Sequence, residues 1–352
     1  MCSSDLHMQT VRLALVGFGN VGRALVRLLE RKRALLASQY GLEWVVTGIA
    51  TGRHGMAVDP QGLDVQEALR LVESGQSIDA LCRGPHPASM LDFIRACPAD
   101  ALFENSPVNH HTGQPAIDHL RTALECGMHA ITANKGPVVH GHALLTETAA
   151  RSGRKFMFES TVMDGAPIFS LFRQPLPASE LVGFMGILNS CTNLMLEMME
   201  QGRELDEVIR YAQSIGIAET DPSADVDGWD AAIKVAALIT VLMGEPFTPQ
   251  QVVREGIRGL SAEDIRAALD AGERWKLVCT ARRENGQIHA QVAPQRVPST
   301  SPLYSVGGTS SFVQFEMDTL SGLGILESNP GPDTTAYGLL ADLLNALGKT
   351  NG

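Results

Sequence analysis

Basic runs are missing from this chain. Its 28 Lys and Arg residues are scattered and outnumbered by 39 Asp and Glu, giving a net charge of −11 over 352 residues. That argues against a polyanion-binding surface, so no nucleic-acid partner is expected. Long apolar runs are missing too. The richest, AAIKVAALITVLMG (231–244), carries a lysine and ends too early to span a bilayer, and no signal peptide is visible. No membrane partner is expected, and the location is read as cytoplasmic. The six cysteines, at 2, 82, 97, 126, 191 and 279, include no C-x-x-C pair. Reduced thiols fit that spacing better than a disulfide scaffold or a zinc site. The pairs His110-His111 and His140-x-His142 lack a third nearby ligand and read as turn or surface histidines. Internal repeats and low-complexity tracts are also absent. What remains is 44% hydrophobic and 19% charged, the texture of a folded globular chain long enough for two domains. The opening MCSSDLHMQT has no pattern and is set aside.

The first half reads as an α/β, Rossmann-type dinucleotide-binding domain over 10–155, completed by a C-terminal helix over 326–350. Val11 to Val16 is nearly continuous apolar sequence, as in a strand buried on both faces. Gly17, Gly19 and Gly22 follow in a G-x-G-x-x-G turn, with Phe18, Asn20 and Val21 between them, and then a helical face of Val21, Leu25, Leu28 and Leu29. The first glycine allows the tight turn, the second a close approach to a pyrophosphate, and the third close packing of helix on strand. The alternative is an ordinary strand–helix turn. A second strand, Trp44 to Ala50, leads to Thr51-Gly52-Arg53-His54, with no carboxylate before Asp59. An acid there would bond the ribose 2′-hydroxyl of NAD, whereas Arg53 suits the 2′-phosphate of NADP, which is therefore favoured. The alternative is a solvated loop arginine. Lys135, just past the strand MHAITA, points to the crevice where such sheets bind ligands, or else is a loop cation in solvent.

From about residue 156 to 325 the texture changes to that of an α+β domain with one sheet packed on helices. Phe156 to Val162 is strand-like. LVGFMGIL runs into NSCTN, where Cys191 or Thr192 is expected to open a helix. Helices are expected at 204–215, 228–243 and 261–272, and strands at WKLVCTAR, QIHAQVA and SFVQFEMD.

Five blocks carry more than a fold. TANKGP (132–137), FESTVMDGAPIF (158–169), GILNSCTN (186–193), GIAETDPSADVDGWDAAIK (216–234) and EGIRGLSAEDIRAALDAGERWKLV (255–278) stand in the order and spacing found in homoserine dehydrogenases. The chain resembles that family over most of its length, and ENSPVNHHTGQPA (104–116) looks like its short, archaeal-type branch, without a C-terminal regulatory domain. The resemblance implies NAD(P)-linked interconversion of L-aspartate 4-semialdehyde and L-homoserine, and a homodimer built through the second domain's sheet. It implies catalytic roles for Lys135, Lys234 and Asp230, and substrate contacts from Glu219, Asp225, Asn189 and Thr192. It also implies cofactor contacts from Ser106, Pro107, Lys135 and Thr335, and a Na⁺ or K⁺ site at Glu159, Val162, Asp164 and Ala166. Two departures from the family pattern are Ser190-Cys191 in place of Gly-Thr, and Met163-Asp164-Gly165 in place of a glycine-rich turn.

Hydride delivery to an aldehyde leaves charge on its oxygen, so a proton donor must stand within hydrogen-bond reach. Asp230 and Lys234, four apart on one predicted helix, share a face. The aspartate can orient the lysine, while Glu219 or Asp225 meets the substrate's α-ammonium group. Asp221 and Asp227 read as solvated loop acids. Two other readings stay open: a dehydrogenase for another hydroxy amino acid or semialdehyde, and a regulator that binds NADPH without turnover.

Overall fold

Leu13 to Val16 are wholly buried, which places their strand in the middle of a sheet. The computed structural model describes residues 8–215, 217–218 and 221–349, and the chain divides into two units, Met1–Gly165 with Gly331–Gly352, and Ala166–Pro330. The first unit begins with β1 (Gln9–Val16), α1 (Asn20–Tyr40), β2 (Leu42–Ala50), β3 (Met56–Val58), α2 (Val65–Glu73) and α3 (Met90–Ala96). It continues with β4 (Ala101–Glu104), α4 (Ala116–Glu125), β5 (His129–Thr132), α5 (Lys135–His140), α6 (His142–Ser152) and β6 (Phe156–Met157). The strand order is β3-β2-β1-β4-β5-β6, parallel except for β3 at the edge. The order reverses between β1 and β4. In such sheets that reversal opens a crevice beyond the strands' carboxyl ends.

Local signals set the element ends. Gly41 takes the left-handed conformation (φ 57) that closes α1, returning its N–H to the Leu36 carbonyl. Asp64 starts α2 by accepting from the N–H groups of Gln66 and Glu67.

The second unit runs α7 (Ile168–Arg173), β7 (Leu181–Ile187), α8 (Ser190–Glu200), α9 (Leu205–Ser214), α10 (Ser223–Val226) and α11 (Trp229–Leu242). Then come β8 (Val253–Arg254), α12 (Ala262–Asp270), β9 (Glu273–Glu284), β10 (Gln287–Pro298), β11 (Ser311–Met317) and β12 (Leu323–Glu327). Its sheet has the order β12-β11-β7-β9-β10-β8, antiparallel except where β8 pairs with β10. One face is buried through Phe184, Cys279, Ala281, Val292, Val313 and Phe315, with α8, α11 and α12 packed against the sheet. On the other face Met185, Gln314 and Phe312 are half-buried, while Val253 and Leu326 are 68% and 58% exposed. The last helix, α13 (Pro332–Ala346), belongs to the first unit, where Leu339, Leu340 and Leu343 share a core with Leu25 and Leu29 of α1.

Two local expectations are corrected. The strand expected over 156–162 stops at Met157, and Glu159–Thr161 forms a 3₁₀ turn instead. There the Glu159 N–H donates to Asp342 Oδ2 (2.7 Å) and the Thr161 hydroxyl to the Phe158 carbonyl (2.8 Å), so side chains replace the ladder. The helix after NSCTN opens at Ser190, not at Cys191 or Thr192, because the Asn189 side chain caps it, accepting from the Thr192 N–H at 2.7 Å. Among the described residues no helix is long and apolar enough to cross a membrane.

Candidate active site

The glycine turn of the first unit separates into structural and open positions. Gly17 sits at φ +91, and a Cβ there would lie 2.5 Å from the Asn105 carbonyl oxygen. A Cβ on Gly22 would lie 2.5 Å from the Gly17 carbonyl oxygen, which is the close helix–strand packing expected of the third glycine. Gly19 is different: a Cβ there meets nothing within 4 Å. The start of α1 has no side-chain cap and no acid in its first turn. An open backbone position before a helix N-terminus that no carboxylate occupies fits a pyrophosphate. Phe18 is buried, Val21 half-buried, and the Asn20 side chain accepts from Arg23 Nη2 at 2.8 Å.

At the end of β2, the Thr51 hydroxyl donates to the Gly55 carbonyl (3.1 Å) and accepts from the His54 N–H (2.6 Å), so it shapes the loop itself. Arg53 is exposed on that loop. Ser106 and Pro107 follow β4, and Lys135 begins α5, whose cap is Asn134, accepting from the Gly136 N–H at 3.0 Å. Thr335 on α13 is buried, its hydroxyl donating to Asp164 Oδ1 (2.9 Å) and lying 3.1 Å from the Gly331 carbonyl. Glu159 and Val162 are buried in the first unit, Met163 and Asp164 have positive φ (54 and 43), and Ala166 opens the second unit. Among the described residues no three His, Cys, Asp or Glu gather as a metal-binding group.

In the second unit one amide joins the predicted residues. Asn189 Nδ2 donates to Asp225 Oδ1 (2.7 Å) and to Asp230 Oδ2 (2.9 Å), while Asn189 Oδ1 caps α8 and accepts from the Thr192 hydroxyl at 2.9 Å. Asp230 pairs with Lys234 at 2.9 Å, one helical turn on, and Lys234 Nζ also donates to the Leu188 carbonyl at 2.7 Å. Both side chains are about one-sixth exposed, 16% and 15%. Burial and the neighbouring Asp230 charge push the Asp225 carboxyl above its ordinary range, against the pull of Asn189 and Lys234. Burial, then Asp225, raises the Cys191 thiol, which bonds Asp225. Glu219 lies outside the described residues. Asp221 is exposed and accepts from the Ser223 N–H at 3.0 Å, a local loop contact, whereas Asp227 pairs with Arg258, 31 positions on, at 2.5 Å.

Sequence reasoning did not single out the Leu188 carbonyl, which has no letter of its own. It noted Cys191 only as a departure from a pattern, and it passed over Glu104 and Asn105 inside ENSP.

A Rossmann-type unit with an open glycine turn, joined in one chain to an α+β unit carrying a half-buried Asp–Lys pair, defines an NAD(P)-dependent oxidoreductase. The homoserine dehydrogenase family model matches residues 167–344. An NAD⁺-dependent homoserine dehydrogenase of Pseudomonas canavaninivorans is 35% identical over 339 residues, 96% of each chain. A homoserine dehydrogenase of Methanocaldococcus jannaschii is 33% identical over 342 residues, 96% of this chain and 99% of its own. The structure of a hyperthermophilic archaeal homoserine dehydrogenase mutant in complex with NADPH superposes with a TM-score of 0.81 at 29% identity, covering 97% of this chain and 99% of that one. The chain belongs to the homoserine dehydrogenase family. Its activity is the NAD(P)-dependent interconversion of L-homoserine and L-aspartate 4-semialdehyde, in the biosynthesis of threonine and methionine.

Proposed function

We propose that Lys234 carries the proton in this reaction, with Asp230 and the Leu188 carbonyl holding its amine in place. When bound, a reduced nicotinamide supplies hydride to the aldehyde carbon. As the carbonyl oxygen gains charge, the Lys234 ammonium donates a proton to it, and in the reverse direction the amine takes the hydroxyl proton. Asp230 aims the lysine through the 2.9 Å pair. Asp225, with Glu219 from the family pattern, takes the substrate's ammonium group. Asn189 fixes the spacing of the two carboxylates, and its bond to Thr192 ties that spacing to α8. Lys135 is assigned as the second catalytic cation, at the start of α5 in the first unit. The single observation that carries this reading is the bridging of Asp225 and Asp230 by the Asn189 amide, with Lys234 on the same Asp230 oxygen.

Gly17 to Gly22, Ser106, Pro107 and Thr335 are assigned to the dinucleotide. Arg53, exposed where an acid would select NAD, supports a preference for NADP. A monovalent cation beside Glu159 belongs to the same proposal as a brace for that loop, and the proton and hydride steps do not need it. The partly exposed apolar sheet face of the second unit supports a homodimer, and the reduced, mostly buried thiols support a cytoplasmic location.

Absorbance at 340 nm with L-homoserine and either NAD⁺ or NADP⁺ tests activity and preference together. Lys234→Ala, shown folded by circular dichroism, is expected to lose turnover by about 10²- to 10⁴-fold. Near-normal turnover in that variant would remove the lysine from proton transfer.

A further inference from the structure

Glu104, at the carboxyl end of β4, is 0% exposed, and nothing in the reaction above uses it. Its Oε1 accepts from the Ser106 N–H (3.3 Å) and the Ser106 hydroxyl, and His119 Nδ1 of α4 stands 3.4 Å away. His119 is itself only 5% exposed. The Thr132 hydroxyl, at the end of β5, donates to the Glu104 carbonyl (2.7 Å) and lies 3.4 Å from Oε2. That hydroxyl also accepts from the Asn134 N–H at 2.9 Å, and Asn134 Nδ2 donates to the Ser106 carbonyl at 3.1 Å. The bonds close a ring: Glu104 to Ser106, Ser106 to Asn134, Asn134 to Thr132, Thr132 back to Glu104. The buried carboxylate holds Ser106, and the Ser106 and Glu104 carbonyls tie the loop after β4 to the loop after β5, which leads into Lys135 at the start of α5.

Inside the ring's span sits Asn105. Its backbone N–H donates to the Val16 carbonyl at 2.8 Å, and its carbonyl is the atom that Gly17 packs against. Its side-chain Oδ1 and Nδ2 are both buried and have no partner among the described residues. A buried amide with neither half satisfied is costly unless a ligand or water meets it. It stands where the strand order reverses between β1 and β4, at the ligand crevice of this fold.

We infer that Glu104, backed by His119, is a positioning residue for the dinucleotide, holding the loops of Asn105, Ser106 and Lys135 as one ledge on which the unpaired Asn105 amide meets the bound cofactor. The carboxylate acts through what it holds. Three donor groups converge on it, the Ser106 N–H, the Ser106 hydroxyl and His119 Nδ1, and a carboxylate has about four lone-pair sites to receive them. A glutamine there keeps one acceptor but brings an NH₂ group against Ser106, Thr132 or His119. An alanine leaves the Ser106 and His119 donors without a partner. Either change loosens the ledge before it touches the core of the sheet.

The inference rests on the first unit's role as the NAD(P) site, so the test reads cofactor binding directly. NADPH is titrated against wild type, Glu104→Gln, Glu104→Ala and a control core variant at the far end of α1, Leu36→Val. Dissociation constants come from nicotinamide fluorescence, with folding checked by circular dichroism and thermal midpoint. Glu104→Gln is expected to weaken NADPH binding about three- to tenfold and Glu104→Ala more, with KM for homoserine at saturating cofactor within twofold of wild type. The control is expected to lower the thermal midpoint without moving the dissociation constant. A folded Glu104→Gln protein that binds NADPH within twofold of wild type overturns the inference, even if Glu104→Ala fails to fold. So does an equal loss in the control. Wild-type protein that binds neither NADPH nor NADH would instead defeat the assignment of the dinucleotide to this unit.

Discussion

Lys276 is 0% exposed, a cation inside a sheet. It is tolerated because Nζ donates to Asn193 Oδ1 (2.9 Å) and to the Val306 carbonyl (2.6 Å). Burial lowers its pKa from 10.5 to about 8, and Arg274 pushes the same way against Glu200 and Glu197. Below about pH 8 both folded and unfolded chains hold the proton, and the cost of burying it is paid in full. Between about 8 and 10.5 the unfolded chain binds the proton and the folded chain does not, so this residue makes stability rise with pH across that window. The gain has an upper bound of about 3 kcal/mol, at 1.36 kcal/mol per unit. Buried thiols run the other way at the alkaline end: burial raises Cys97 to about 11 and Cys279 to about 12, so each loses stability as pH rises past 9. Urea unfolding of wild type and Lys276→Met at pH 7.5 and pH 10 separates the two effects. Wild type is expected to gain about 1–3 kcal/mol on the variant between those pH values. An unchanged difference would mean that Lys276 does not titrate in that range. Neither Lys276 nor its partner Asn193 could be singled out from the letters, because the letters of a strand do not say what either of its faces meets.

At the scale of elements, the glycine turn and α1 were legible almost whole. Strand, turn and helix are set by neighbours a few positions apart, and the G-x-G-x-x-G spacing needs only the local geometry of the turn. The structure adds a division of labour among the glycines. Gly22→Ala would put a methyl group 2.5 Å from a backbone oxygen, with no flexible side chain to yield. It is expected to cost about 1–3 kcal/mol in unfolding free energy with or without cofactor. Gly19→Ala meets nothing, so its thermal midpoint should stay near wild type while NADPH affinity falls at least about tenfold, because the methyl group occupies the approach to the helix N-terminus. Calorimetric midpoints and NADPH titration on the two variants decide it, and a Gly19→Ala protein with intact affinity would refute a pyrophosphate at that turn. The β9–β10 hairpin carried a signal that was passed over. Its two-residue turn is Asn285-Gly286, both at positive φ (50 and 80), the pairing that two-residue hairpins favour.

At the scale of the whole molecule, the proposed homodimer gives the second unit's exposed sheet face a partner. Val253 and Leu326 stand 68% and 58% exposed on strands at opposite edges of that sheet, with half-buried Met185 and Phe312 between them. The double variant Val253→Asp, Leu326→Arg places charges where an apolar interface would bury them. Light scattering after gel filtration is expected to give a dimer for wild type and a single chain for the variant. A wild-type single chain, or a variant dimer unchanged at low concentration, would move the interface elsewhere. The sequence by itself determined the two textures of the chain, the glycine turn, and the one-turn spacing of Asp230 and Lys234. Each of these rests on contacts within a few residues, where the 3.6 and 2.0 periods of the backbone apply. Only the tertiary structure decided that Asn189 bridges Asp225 and Asp230, 36 and 41 positions away, and that Glu104 meets His119 and Thr132. Those meetings depend on which strands lie side by side and which polar groups lose their water together, and no local period of the chain records either.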